Sequence, residues 1–262
     1  MTRSAQSIRY YEGMPPGSAQ PATNVTRNTR AIVAAYKADP DGLSQNLPPG
    51  IDLHPNHTVH LSMYRVTDRF NTTHVDLYTV TYLAIEVSGH DGEVTSANEG
   101  KSMLPGRYFA RYWVNNLDMV FLKRESRGVP ARLGTTVWQE QNKRLVSQLE
   151  VDEHPAIRLE AAVEEGVVDQ VWGHLNYFGR RQIRRVDGPL CEIDELIELP
   201  IPVLFDIHKA DGDSATLEFS ARDNAAGELE SLQPIGIDSV VYCDYTIPHY
   251  PTGYVIRDYM AE

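Results

Sequence analysis

Apolar and polar residues alternate with a period of two along much of this chain, and that alternation predicts strands. In TVHLSMYRV (58–66), Val59, Leu61 and Met63 fall on one face and His60, Ser62 and Tyr64 on the other. HVDLYTVTYLAIEV (74–87) is β-branched and aromatic, with Tyr78, Val80 and Tyr82 sharing a face. RYFARYWV (107–114) is a third run, and the turn signals HDGE (90–93) and ANEG (97–100) separate it from the second. RAIVAAY, beginning near Thr29, is an earlier extended segment. TTVWQEQNKRLVSQLEV, AIRLEAAVEEG, SATLEFSA and DSVVYCDYTIP predict later strands.

Helix signals are few. A Pro-opened segment predicts a short helix from Pro40 to Asn46, closed by Pro-Pro-Gly. Residues 116–127 read as a second, with Asn116 as N-cap and Gly128 as the stop. DNAAGELESL suggests a third. Many strands, few helices and no βαβ rhythm predict a mostly β (α+β) fold, an antiparallel barrel or sandwich with a few short flanking helices.

Residues 1–24 are rich in Pro, Gly, Ser and Ala and read as an N-terminal arm, leaving 25–262 as a single domain. No apolar run reaches the roughly 18 residues a membrane helix needs, and MTRSAQSIRYYEG lacks the core of a secretory signal. A cytoplasmic protein without a membrane partner is expected. The net charge of −12 disfavours nucleic acid, which seeks a positive surface, but a local cationic pocket remains compatible with it. Cys191 and Cys243, far apart, read as reduced thiols rather than as a disulfide framework or zinc site.

The segment RESRGVPARLG (124–134) carries the most specific signal. A helix, then Arg-Glu, then Pro followed by two residues and Leu-Gly resembles the active-site segment of the acetoacetate decarboxylase superfamily, which ends in Pro-Lys-Lys-Leu-Gly. AAYKADPDGLSQNLPPGI (34–51), SATLEFSA (214–221) and DYTIPHYPTGYVIRDY (244–259) resemble other parts of that family in the same order. The resemblance spans roughly residues 26–260. It implies an antiparallel β-barrel assembled into homo-oligomers and acting on a small carbonyl or carboxylate substrate.

In that family the first lysine forms a Schiff base and the second lowers its pKa by like charge, the device known from acetoacetate decarboxylase itself. Here the two positions are Ala131 and Arg132. Alanine has no nucleophile and arginine forms no imine. The lysines, at 37, 101, 123, 143 and 209, fall elsewhere, and Lys123 reads as a solvated helix residue. The family's acidic groups fall on Ser62 and Val80. Its first-strand arginine falls near Thr29, which Arg27 and Arg30 flank.

The expected pocket therefore holds Arg132, His60, Tyr78 and Tyr82 as catalytic groups. Arg27, Arg30, Ser62, Tyr64, Arg111 and Trp113 are its expected substrate contacts. Arginine holds a carboxylate bidentately, tyrosine and serine hydroxyls stabilise an oxyanion, and His60 is placed for acid–base work near neutral pH. The same tyrosines, Trp113 and His60 also suit plain packing. Such a set points to a lyase-type reaction (decarboxylation, retro-aldol cleavage or dehydration) of a carbonyl or keto acid without a Schiff base. Alternatives are hydrolysis of a carbonyl or lactone metabolite, or ligand binding without catalysis. No cofactor is expected, since no nucleotide motif is present. His54, His57 and His60 step by three rather than two, so no metal site is expected either.

Overall fold

A computed structural model describes residues 26–66, 77–185, 190–220, 229–247 and 253–261. The proposed arm, the start of the 74–87 run, most of DNAAGELESL and His249 lie outside the described residues. Eleven strands form one sheet: β1 (Thr26–Lys37), β2 (Thr58–Val66), β3 (Tyr78–Ser96), β4 (Gly100–Val114), β5 (Ala131–Leu133), β6 (Thr135–Gln141), β7 (Arg144–Val151), β8 (His154–Arg184), β9 (Cys191–Phe219), β10 (Gly236–Ile247) and β11 (Tyr254–Asp258).

The sheet closes on itself. From β10 the path runs through β1, β2, β3 and β4 to β8, and β9 pairs with both β8 and β10. Pairing is antiparallel throughout that ring except between β4 and β8, which run parallel at Arg107↔Tyr177 and Tyr108↔Phe178. Closure removes the free edges of the central strands. It also brings Tyr177, far away in sequence, beside Arg107.

Strand alternation divides the buried residues between two sides of the β1–β4 wall. Ala31, Tyr64, Val80 and Tyr112 pack on one side. Ile32, Leu61, Met63, Leu83 and Trp113 pack on the other. Two departures from simple alternation matter. Leu83 pairs with Arg111 but Ala84 with Phe109, so Ala110 is an extra residue in β4 and reverses the phase beyond it. HDGE, expected to turn, instead lies inside β3 where the register slips between Val87 and Gly92; the reversal comes at ANEG. In the TTVWQEQNKRLVSQLEV run, Asn142 and Lys143 take φ of 52° and 62°, which folds it into the β6–β7 hairpin.

Helix α1 (Pro40–Gln45) is capped by Asp39, whose carboxylate accepts from Gly42 N at 2.9 Å. Helix α2 (Leu117–Arg127) is capped by Asn116, whose side-chain oxygen accepts from Met119 N at 3.0 Å. Gly128 ends it at φ 64°. A Cβ there would stand 2.6 Å from Arg181 N, so the glycine also lets the helix end press against β8. The DNAAGELESL segment retains a 3₁₀ turn, Glu230–Leu232, among the described residues. No described helix is long and apolar enough to cross a membrane.

Candidate active site

A pocket of about 790 Å³, its open mouth included, lies on the Ala31–Tyr64 side of the wall. Helix α2, β8 and the first half of β9 complete it. Apolar residues of β1, β9 and β10, among them Val33, Ile201, Val203, Phe205 and Ile247, line one part. The other part is polar, and it contains three cationic side chains: Arg107, Lys123 and Arg127. Among the described residues no Asp or Glu lines it.

Hydroxyls run between these cations. Arg107 Nη1 donates to Tyr177 Oη at 3.2 Å, and Tyr177 Oη lies 3.1 Å from Tyr82 Oη. Either phenol of this pair can donate; with Tyr177 donating to Tyr82, the Tyr82 proton is left for a ligand. Burial holds the Tyr82 hydroxyl well above the ordinary phenol value, so it remains a donor. Tyr64 and Tyr112 pair through their hydroxyls at 3.2 Å, and Tyr112 stacks flat on Tyr82 with centroids 5.8 Å apart. Face-to-edge packing of Tyr64 and Phe109 on Tyr82 fixes the ring further.

Behind the pocket, His60 Nε2 lies 2.8 Å from Glu86 Oε1, and Asn56 Nδ2 donates to the other carboxylate oxygen at 3.3 Å. Burial and the Arg107 charge push the His60 imidazole down to about 4. His60 is therefore neutral at pH 7 and donates from Nε2 to the Glu86 carboxylate. Burial works to raise the Glu86 pKa, but the His60 bond and nearby Arg107 outweigh it and hold the carboxyl below its ordinary value. For Arg107 burial opposes the charge, while Tyr177, Tyr82 and Glu86 favour it more strongly and keep it cationic.

The His60 shift has a sign for stability. An unfolded histidine titrates near 6.5, and folded His60 near 4. Between those values the unfolded chain binds more protons, so stability rises with pH across the window. Fully developed, the difference is about 3 kcal/mol. Glu86, depressed in the fold, also loses its contribution as pH falls. Urea unfolding should thus weaken more steeply from pH 7 to 4 in the native chain than in His60→Gln. Equal slopes would contradict a neutral buried His60.

Of the residues expected at the site, Ser62, Tyr64 and Tyr82 line the pocket together. Arg132 does not. Ala131 pairs with Tyr112 and is buried, which turns Arg132, paired with Trp113, outward to an exposed position. Arg111 and Trp113 are on the wrong side of the wall because the Ala110 bulge reverses β4. Trp113 packs in the second core, and Arg111 Nη1 donates to Ala110 O at 2.7 Å. Arg30 is likewise one residue out of phase with Ala31, and its guanidinium grips Asp244 at 2.9 and 3.1 Å. Tyr78 is buried in the wall, and His60 is held by Glu86 behind the lining. The side chain of Arg27 lies outside the described residues. No group of three or more His, Cys, Asp or Glu among the described residues could hold a metal ion.

Lys123 requires the largest correction. It is not solvated: it is 8% exposed, lines the pocket, and places Nζ 5.8 Å from the Tyr112 ring centroid. Met119, Lys123 and Arg127 recur every four residues, a helix-face signal present in the sequence. Glu86 was also legible, four residues beyond Tyr82 on the same strand face. Arg107 and Tyr177 were not, since their placement depends on the bulge and on the parallel β4–β8 junction.

A closed, mostly antiparallel barrel of this kind is also the fold of solved acetoacetate decarboxylases. An acetoacetate decarboxylase structure superposes with a TM-score of 0.72 at 20% identity over 90% of both chains. The acetoacetate decarboxylase of Legionella pneumophila subsp. pneumophila str. Philadelphia 1 gives 0.72 at 18% identity over 99% of each. MppR, an enduracididine biosynthesis enzyme complexed with the condensation product of pyruvate and imidazole 4-carboxaldehyde, gives 0.60 at 12% identity over 97% of each. No curated protein matches the sequence. The family described as acetoacetate decarboxylase (ADC) matches residues 11–258. The chain belongs to the acetoacetate decarboxylase family.

Proposed function

We propose that this chain is a lyase-type enzyme whose substrate is a small or medium-sized carbonyl acid. One observation carries the reading: in a chain of net charge −12, the pocket gathers Arg107, Lys123 and Arg127 with no carboxylate among the described residues of its lining. Arg107 Nε is moreover buried without a hydrogen-bond partner among the described residues, so a substrate carboxylate would supply the acceptor it lacks. Tyr82, polarised through Tyr177 by Arg107, would donate to the substrate carbonyl as charge develops on its oxygen. Decarboxylation, retro-aldol cleavage and dehydration all develop that charge. The apolar wall would take the remainder of the molecule. MppR, of the same fold, is described in complex with pyruvate, a carboxylate of this class.

The test is a panel of 2-oxo and 3-oxo acids, each paired with the neutral ketone lacking the carboxylate, assayed for binding and turnover. Acids should bind at least about tenfold more tightly than their ketones, the discrimination expected of a charge-assisted hydrogen bond. Arg132→Ala should leave both affinity and turnover unchanged, as befits an exposed residue outside the pocket. Equal affinity for acids and ketones would refute the proposal.

A further inference from the structure

The residues that β9 gives to the pocket are regularly spaced and apolar. Leu199, Ile201, Val203 and Phe205 follow the period of the pleat, so one strand presents a continuous stripe to the interior. The stripe begins at the cationic end. Leu199 pairs with Tyr177, whose hydroxyl accepts from Arg107. It ends at Phe205, whose ring lies 5.9 Å from that of its cross-strand partner Tyr245. From Leu199 to Phe205 the extended strand covers about 20 Å. Pro200 and Pro202, at the alternate positions, fix the backbone of this stretch, so the stripe is preformed.

We infer that this stripe is a subsite for a long apolar tail, and that the substrate is an oxo acid bearing a phenyl ring or an alkyl chain of about six carbons or more beyond its carbonyl. The inference rests on the reading that the pocket takes a carbonyl acid with its carboxylate at Arg107. The length follows from the geometry. Pyruvate or acetoacetate spans roughly 4–5 Å from carboxylate to methyl. Held between Arg107 and Tyr82, an acid of that size would meet the stripe only at its near end, Leu199. Val203 and Phe205 would stay uncovered.

The surface chemistry agrees with that length. Ile201 and Phe205 are only half-buried, as is Val33 of β1. Apolar surface that a closed barrel leaves accessible inside its pocket is surface a ligand can cover, and covering it drives binding. Every residue that β1 and β9 contribute to the described lining is apolar. A charged or hydroxylated tail would therefore lose its water there without gaining a partner, which disfavours dicarboxylic and sugar-derived oxo acids. Each further methylene along the stripe should instead tighten binding about threefold.

The test is a calorimetric titration of the wild-type chain with pyruvate, 2-oxobutanoate, 2-oxohexanoate, 2-oxooctanoate and 4-phenyl-2-oxobutanoate. Affinity should climb along the straight-chain series, and the longest chain or the phenyl acid should bind at least about a hundredfold more tightly than pyruvate. Whichever of the two binds tighter identifies the tail as chain or ring. Val203→Phe fills the middle of the stripe, and Phe205→Ala removes its end at a half-buried position. In each variant the affinity ratio of 2-oxooctanoate to pyruvate should fall at least about tenfold. A wild-type series with no gain beyond 2-oxobutanoate overturns the inference, and so does a gain that survives both substitutions, since the tail would then lie elsewhere. Matched methyl ketones separate the two readings. If acids outbind their ketones at every length but length has no effect, the subsite fails and the carbonyl-acid reading stands. If ketones bind as tightly as the acids, that reading fails, and the inferred substrate class fails with it.

Discussion

Arg107→Met should raise KM for an oxo acid roughly a hundredfold, about 3 kcal/mol, while affinity for the matched neutral ketone changes little. The guanidinium is held cationic between Glu86 and the Tyr82–Tyr177 pair, and its Nε has no acceptor among the described residues. Removing it deletes the contact that distinguishes an acid from a ketone. Arg107→Lys should recover only part of the loss, because an ammonium keeps the charge but not the planar fork. A second readout is independent of substrate. Arg107 is, after burial, the largest influence depressing His60. With Arg107 gone, the His60 imidazole should titrate measurably above 4 in an NMR pH series. An unmoved His60 and an unmoved KM together would show that Arg107 is neither in the site nor coupled to it.

The strand boundaries were largely legible because alternation and turn residues are local signals. TVHLSMYRV is β2 from end to end, and Asn116 and Gly128 bracket α2 as their cap chemistry dictates. The pocket lining was legible only where alternation persisted. Ser62, Tyr64 and Tyr82 follow directly from the pleat of β2 and β3. A single inserted residue, Ala110, exchanged Arg111 and Trp113 for Arg107, Phe109 and Tyr112, and nothing in RYFARYWV marks it as a bulge. Tyr177, Val203 and Tyr245 reach the pocket through pairings distant in sequence, which periodicity does not register.

The Pro-Ala-Arg-Leu-Gly segment was legible in a different way. Its likeness to the family motif points to the neighbourhood of the pocket, since Ala131 pairs with Tyr112, which lines it. Of its two central positions only Arg132 carries a charge, and Arg132 is the residue the strand turns outward. The helix immediately before it carries two of the three cations, Lys123 and Arg127, on the face that meets the pocket. A four-residue helical step through Met119, Lys123 and Arg127 was as plain in the sequence as the motif. A lone lysine on a helix is ordinarily solvated, so that step by itself does not single Lys123 out.

Tyr82→Phe should lower kcat about a hundredfold or more and leave KM nearly unchanged, the signature of a donor that matters chiefly as charge develops. The ring is clamped by Tyr112, Tyr64, Phe109 and Tyr177, so the phenylalanine should keep its position. Its stability cost should be about 1 kcal/mol, one buried hydroxyl bond. Tyr177→Phe tests the same chain one link back. It leaves Tyr82 in place but separates it from Arg107, which donates to Tyr177 at 3.2 Å. Its kcat should fall by less than that of Tyr82→Phe, and the double variant should be no worse than Tyr82→Phe alone, because both substitutions interrupt one relay. Fully additive losses would instead assign the two hydroxyls separate tasks, and the order in which Arg107, Tyr177 and Tyr82 hand polarisation to the substrate would have to be abandoned.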